Sequence, residues 1–448
     1  MRIDLDIPIS LSEIAKCCEG TLTCEDAIIR TVCTDSREVS YGDLFIAISG
    51  ERHDGNSYAK EVVQKGGYVL GNKFASILVL DTKDPILKLA ALYKQKLPRL
   101  LYTVAITGSV GKTTTKELTA KLLSCKYKVH SNHANFNNDI GLLHTLLSSQ
   151  SNTEVLVIEM GMNHRGEISR LSRAVKPDIA VITNVGTAHI GNLGSREEIA
   201  AAKLEICDGM TGGVLLIPKG EPLLSSADMG VEVSASGSGD HSLFIEEEKE
   251  ATTKFSYTGK NLILKNECVK LRGEHLMKAL SFSLSVADTL NIESDKVRSA
   301  LKSIDTTAFR QRYLKIGRYV IYDDTYSSSP EAAIAVIKAQ TEKHKGAVSA
   351  VLGDMLELGD ASDRLHREVG EAAAACGIRK LYAFGKFAKQ IAEGAKSGGM
   401  SEDCIFINES EDIEATAEQI RHSYDGELLI VKASHAVHAE RIYIFLKD

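Results

Sequence analysis

"VAITGSVGKTTTKE" occupies residues 104–117. An apolar run enters a glycine-flanked Gly-Lys-Thr and passes straight into helix-forming residues. Strand, glycine loop and helix in that order describe a phosphate-binding loop. Glycines let backbone N–H groups approach phosphate oxygens, and the helix N-terminus adds a favourable dipole. Gly108, Ser109, Val110, Gly111, Lys112, Thr113 and Thr114 are therefore candidate nucleotide contacts, with Lys112 bridging the terminal phosphates and Thr113 offering its hydroxyl to Mg²⁺. The full signature G-x-x-x-x-G-K-[ST] asks for glycine at 106, where this chain has Ile106. The loop departs from the standard form, and the use of the phosphate has to be read from the rest of the chain.

The strand–loop–helix rhythm continues on both sides. "EVLVIEMG" (154–161) and "DIAVITNVG" (178–186) are continuous apolar runs, as expected of parallel strands buried on both faces. "GGVLLIP" (212–218) follows, then a more polar stretch (222–272) with alternating strand candidates, then a helix over 275–290. The first hundred residues carry short strand-like runs at 44–50, 67–73 and 76–82, a short helix over 57–66 and a longer one over 85–97 that Pro98 ends. Near 308 the chain restarts with "YVIYDDTY" (319–326), "SAVLGDM" (349–355), "KLYAFGK" (380–386) and "ELLIVKAS" (427–434). The expectation is three α/β domains, 1–100, 101–308 and 309–448, the last a doubly wound, Rossmann-like sheet.

Composition narrows the function classes. A chain of 448 residues is too long for one ordinary core, and 44% hydrophobic with 25% charged residues is a globular balance. A formal net charge of −7 argues against gripping a nucleic-acid backbone, though a few donors in one cleft still hold a small anion. No apolar stretch approaches the roughly 20 residues that span a bilayer. "MRIDLDIPIS" lacks the plan of a secretory signal, and nine cysteines without a CxxC pair read as free thiols in a reducing cytoplasm.

Several polar residues sit where chemistry collects in α/β sheets, at carboxyl ends of strands. Glu159, in "VIEMGMNHRGE", is placed to hold a metal beside the phosphates, and His189, in "NVGTAHIG", lies just past another strand end. "NHANFNNDIG" (132–141) offers asparagine amides at 132, 135, 137 and 138. Asp323 and Asp324 begin "DDTYSSSP", while Lys432, Ser434 and His435 read as the start of a helix suited to an anion. Lys203, in "EEIAAAKLEICDGM", reads on its own as a surface lysine of a helix beginning near Glu197.

Together these stretches resemble the Mur ligase family, ATP-dependent amide-forming enzymes of bacterial cell-wall synthesis. "TDSREVSYGDLFIAISGERHDG" (34–55) looks like the family's uridine-nucleotide segment, with Ser36 and Arg37 on its DSR. "GSVGKTTTKE", "NFNNDIG", "EMGMNHRGEI", "ITNVGTAHIGNLGS" and "AAKLEI" follow the family in order and spacing, and "VLGDMLELGDASDRLHREVG" (351–370) is a long match. Within the family the stretches resemble the members that add D-alanyl-D-alanine to UDP-N-acetylmuramoyl-tripeptide. The resemblance implies ATP and two Mg²⁺ ions as cofactors, and a cytoplasmic, monomeric enzyme with no nucleic-acid partner. Its substrates would be a UDP-N-acetylmuramoyl-peptide and a D-alanyl-D-alanine-like dipeptide. Lys112 and Thr113 would take phosphates and metal, Glu159 and His189 would be metal ligands, and Lys203 falls on a lysine that the family carbamylates. Asn137, Arg312 and Asp324 fall where the family holds ATP, and Ser36, Arg37, Tyr326, Ser327, Ser329, Lys432, Ser434 and His435 where it reads its substrates. The implied chemistry is phosphorylation of a carboxylate by ATP, then attack on the acyl phosphate by an amine.

Three stretches depart from the family pattern. His-Asn-x-x-Asn is replaced by His275, Leu276 and, at the second asparagine, Ala279. Tyr-Asn-Ala-Asn-Pro becomes Tyr326, Ser327, Ser328, Ser329 and Pro330, and Lys-Gly-Ser-Arg becomes Lys432, Ala433, Ser434 and His435. A fixed guanidinium is thereby exchanged for a group that titrates near neutrality. Three readings follow: the cell-wall ligase itself, a paralogue with another amine donor or acceptor, and a catalytically weak binding homologue. Retention of Lys112, Thr113, Glu159, His189 and Lys203 argues against the third.

Overall fold

The computed structural model describes residues 1–447 except 51–52, 134–135, 226–229, 236–238, 250–251, 305–311, 326–327 and 411. Tyr326, Ser327 and Asn135 lie outside the described residues. Three mixed sheets organise the chain among the described residues, each built from a different stretch. The N-terminal sheet has six strands, in spatial order Arg2–Ser10, Ile28–Cys33, Leu44–Ile46, Tyr68–Gly71, Ile77–Leu78 and Thr21–Leu22. Several are shorter than the apolar runs that announce them: the run at 76–82 pairs only over Ile77–Leu78 before turning into the helix Lys83–Gln95.

The central sheet has nine strands, and the functional region sits on four adjacent ones: Val214–Pro218, Ile179–Ile182, Tyr102–Thr107 and Val155–Glu159, all parallel. Alternation along these strands divides the core. Val104, Ile106, Val155, Val157, Ile179 and Val181 face the helix Glu274–Thr289 on one side. Ala105, Leu156, Ile158, Ala180 and Ile182 face the opposite layer, where the apolar cluster runs on into the N-terminal domain through Tyr93, Leu142 and Leu146. A strand buried on both faces accepts only apolar residues, which explains why these runs are continuous. Leu276 and Ala279, two of the positions set apart in the sequence, are buried in that first cluster.

The C-terminal sheet runs Arg312–Ile316, Tyr319–Asp323, Leu428–Lys432, Val348–Leu352, Leu381–Phe384 and Ile405–Asn408, parallel except for its first pair. This is the doubly wound sheet expected of the last domain. One local expectation fails. Residues 435 onward do not open a helix suited to an anion; His435–Val437 is a single 3-10 turn. His438 follows it with φ 55°, so the turn cannot propagate.

Candidate active site

Because the four central strands are parallel and adjacent, their carboxyl ends bring the Gly108 loop, Glu159 and the segment 183–191 side by side. The loop is tightly built. A Cβ on Gly108, whose φ is 149°, would meet the Thr183 hydroxyl at 1.9 Å, so the close approach requires glycine. Thr183 Oγ1 donates to Val110 O (2.6 Å) and Gly186 N donates to Ser109 Oγ (2.9 Å). Asn184 Oδ1 accepts from both Ser109 N and Val110 N at 2.9 Å. Lys112 Nζ lies back over the loop, donating to Gly108 O at 2.7 Å. The helix Lys112–Leu123 starts at Gly111 with no side-chain cap, so no side chain caps its first-turn N–H groups, Thr114 among them.

Glu159 is 3% exposed and fully engaged. Thr113 Oγ1 donates to its Oε2 (2.7 Å) and Asn137 Nδ2 to its Oε1 (2.9 Å). Asn132 clamps the same residue's backbone, accepting from Glu159 N (2.8 Å) and donating to Glu159 O (3.2 Å). Asn138 caps the helix Asp139–Leu147 through Gly141 N. The described asparagines of this segment thus hold the carboxylate and the turn around it. Hydrogen bonds to a charged group are each worth about 1.5–3 kcal/mol, so Glu159 is firmly oriented.

Lys203 is not on the surface. It is 1% exposed, on the inner face of the helix Arg196–Leu204 with Ile199, Ala200 and Ala202. Burial holds its amine well below the usual lysine range, the nearby Lys112 ammonium adds to the shift, and no carboxylate forms an ion pair with it among the described residues. Arg165 ties this helix to the loop after Glu159, with Nε on Glu205 (2.9 Å) and Nη1 on Glu198 (2.9 Å).

The C-terminal domain reaches the same region. Glu331 Oε1 accepts from Thr187 N (2.6 Å), Glu357 O from Gly191 N (3.1 Å), and Glu357 Oε2 lies 2.5 Å from His189 Nδ1. The close contact with His189 Nδ1 holds the Glu357 carboxyl below its ordinary range, against the opposing effect of burial. Elsewhere in that domain Lys432 Nζ donates to Asp324 Oδ2 (2.6 Å), a buried pair that brings two of the expected ligand contacts onto each other. Ser434 Oγ accepts from Leu356 N, Ser329 Oγ caps the helix Pro330–Lys343, and His435 is exposed. Arg312 opens the edge strand opposite Asp323. In the first domain Arg37 projects into solvent with its guanidinium on both Asp35 oxygens (2.9 and 2.6 Å), while Ser36 is buried beside it. Sequence reasoning missed Asn184, Arg165, Glu331 and Glu357, whose roles depend on apposition of distant strands and domains rather than on local pattern.

A phosphate loop, a buried carboxylate touching the loop threonine and a C-terminal Rossmann-like domain in contact with the neighbouring 187–191 segment are the arrangement of a nucleotide-dependent enzyme of the three-domain ligase type. Its sequence matches the Mur ligase middle domain over residues 106–286, the Mur ligase glutamate ligase domain over 309–435 and the Mur ligase catalytic domain over 28–86. The chain belongs to the Mur ligase family, whose members are ATP-dependent ligases forming C–N bonds. It is 34% identical to UDP-N-acetylmuramoyl-tripeptide–D-alanyl-D-alanine ligase of Bacillus subtilis, across 97% of both chains. The Escherichia coli enzyme of that name is 30% identical over 88% of this chain and 89% of its own. A crystal structure of MurF from Acinetobacter baumannii superposes with a TM-score of 0.88 at 26% identity, covering 99% of this chain and 100% of that one. MurF of Thermotoga maritima in complex with ADP gives 0.79 at 29% identity, over 93% and 96%.

Proposed function

We propose that this protein joins D-alanyl-D-alanine to UDP-N-acetylmuramoyl-tripeptide at the expense of ATP, a step of peptidoglycan precursor synthesis. The observation that carries this reading is the convergence of the Gly108 loop, the Thr113–Glu159 pair and buried Lys203 in one region. The donor set fits magnesium. Mg²⁺ takes hard oxygens and is commonly held by one or two carboxylates together with substrate phosphates, and a hydroxyl and a carboxylate oxygen 2.7 Å apart suit adjacent positions of an octahedron. Bound there, Mg²⁺ would neutralise charge on the transferred phosphoryl group.

Lys112, released from its loop carbonyls, places its ammonium on the terminal phosphates, and the helix N-terminus binds the same anion. A neutral Lys203 amine is the form that reacts with CO₂; adding CO₂ and releasing one proton, it would become a carbamate, an anionic oxygen donor for the metal in place of an uncharged amine. Glu159 and His189 are the other protein ligands in this reading. Arg37 and Ser36 bind the uridine-linked acceptor, and Asn137, Arg312 and Asp324 the ATP. Tyr326, Ser327, Ser329, Lys432, Ser434 and His435 are assigned to the dipeptide. Docking of the third domain brings acceptor carboxylate, ATP and amine together, which supplies the entropic share of the rate. A cytoplasmic monomer suits this reading.

A paralogue with a different amine donor is the second reading, favoured by the three serines at 327–329 and the exposed His435 in place of arginine. One experiment separates them. Mg-ATP-dependent phosphate release is measured with UDP-N-acetylmuramoyl-tripeptide, with and without D-alanyl-D-alanine, and the product is weighed by mass spectrometry. A pentapeptide product supports the first reading. Turnover only with another amine supports the second, and no turnover with any donor refutes both.

A further inference from the structure

The contact between His189 and Glu357 crosses from the central to the C-terminal domain and is built with unusual care at both ends. His189 has φ 66° and Glu357 φ 64°, left-handed conformations that side-chain-bearing residues rarely adopt. Gly191 and Gly359 meet between them. A Cβ on Gly191 would lie 2.4 Å from Gly359 N, and one on Gly359 2.6 Å from Gly191 Cα, so the two backbones touch. Gly191 N completes the join by donating to Glu357 O.

The loop that presents Glu357 is pinned from three sides. Leu356 N donates to Ser434 Oγ (2.9 Å), and Ser434 N donates to Asp354 O (3.0 Å). Met355 N donates to His366 Nε2 (2.9 Å), while His366 Nδ1 donates to Ser362 O (2.7 Å). The Asp354 carboxylate accepts from Lys386 N and Phe387 N, each at 2.9 Å. A carboxylate held this rigidly is aimed. On the other side, Glu357 Oε2 lies 2.5 Å from the buried His189 Nδ1, the one carboxylate paired with it among the described residues.

We propose that Glu357 is a positioning residue: on domain docking it holds the proton on His189 Nδ1, turns the ring, and leaves Nε2 as the lone pair for the metal. Metal-binding histidines commonly carry a carboxylate on the far nitrogen, and loss of such a partner lowers metal affinity 10–100-fold. Here the partner is delivered by another domain, so metal affinity and domain docking are coupled. Reciprocity then requires the metal to favour the docked arrangement.

The inference rests on His189 being a metal ligand, and the test separates the two. Mn²⁺ affinity is measured by electron paramagnetic resonance, in the presence of a non-hydrolysable ATP analogue, for the full chain and for His189→Ala, Glu357→Ala and Gly359→Ala. Gly359→Ala keeps the carboxylate but opposes docking through its added Cβ. Circular dichroism checks that each variant is folded, and X-ray scattering follows docking as Mn²⁺ is added. All three substitutions are expected to weaken Mn²⁺ binding 10–100-fold, and the Mn²⁺-driven compaction of the parent should be lost in Glu357→Ala. Unchanged affinity in His189→Ala would refute the ligand assignment beneath the proposal. Weakening in His189→Ala alone, with both other variants within twofold of the parent, would overturn the role of Glu357.

Discussion

Replacing Lys203 by methionine removes the amine while keeping the length of the side chain, and its effect on stability can be worked out in sign and size. In the unfolded chain a lysine is protonated up to about pH 10.4. In the folded protein burial, reinforced by Lys112, holds Lys203 far below that, so it is neutral over the window between. The unfolded state therefore binds one more proton there, and stability rises with pH until the unfolded lysine itself titrates. Within that window the rise attributable to this one group approaches the limiting slope of about 1.36 kcal/mol per pH unit. Lys203→Met has no such group and should lack that increment, while contributions from other sites, such as Lys94 lowered to about 8, cancel between the two proteins. The chain has no Trp, so Tyr127→Trp, half-buried against the central core, supplies a reporter of this domain alone. Urea unfolding followed by its fluorescence, in CO₂-free buffer, gives the difference directly. Adding bicarbonate to the parent should then stabilise it further, by about 1.4 kcal/mol when CO₂ stands tenfold above its dissociation constant. Parallel pH dependences in parent and variant would mean that Lys203 is charged in the native state, and the carbamate would lose its chemical basis.

Three other outcomes are expected. Lys203→Ala should lose at least about 10²-fold in kcat, with formate or acetate restoring part of it; no rescue would count against the carbamate though not against ligation. Ser327→Asn combined with Ser329→Asn should raise use of D-alanyl-D-alanine relative to other dipeptides. Asparagine caps the helix Pro330–Lys343 as well as serine does, so an unchanged donor ratio at unchanged melting temperature would sink the specificity role. Burial holds His366 below the usual histidine range, so the C-terminal domain should lose stability below about pH 6.5, by up to about 1.4 kcal/mol per unit; His366→Gln should flatten that acid limb in a thermal-melt series from pH 7 to 5.

The parts of the fold legible in the sequence were those fixed by burial on two sides. Runs such as "VLVIE" and "IAVI" admit almost no polar residue, and they became the inner parallel strands. The edges were less legible. Arg2–Ser10 alternates Ile3, Leu5, Ile7 and Ile9, a strand period that its charged partners obscured, and the 76–82 run reads longer than the two residues that pair. Local chemistry pointed to the Gly108 loop and to Glu159 because strand ends in a parallel sheet are where polar residues gather. Lys203 looked like a surface residue because only the tertiary fold reveals which face of its helix is buried. Asn184, Glu331 and Glu357 could not be found by spacing at all, since their partners lie 74 or more residues away.

The asparagine at 184 also changes how the nucleotide loop is to be understood. Its side-chain oxygen already receives the two successive N–H groups that a phosphate oxygen would seek. The loop thus keeps its shape by satisfying its donors internally, with Thr183 and Gly186 bracing it. Nucleotide arrival becomes an exchange of one acceptor for another rather than the ordering of a slack segment. What a triphosphate gains is the difference between its charged oxygen and a neutral amide. Ligands that offer those two N–H groups no stronger acceptor than the amide have little to gain there, so the loop discriminates by acceptor strength before any part of the base or sugar is read.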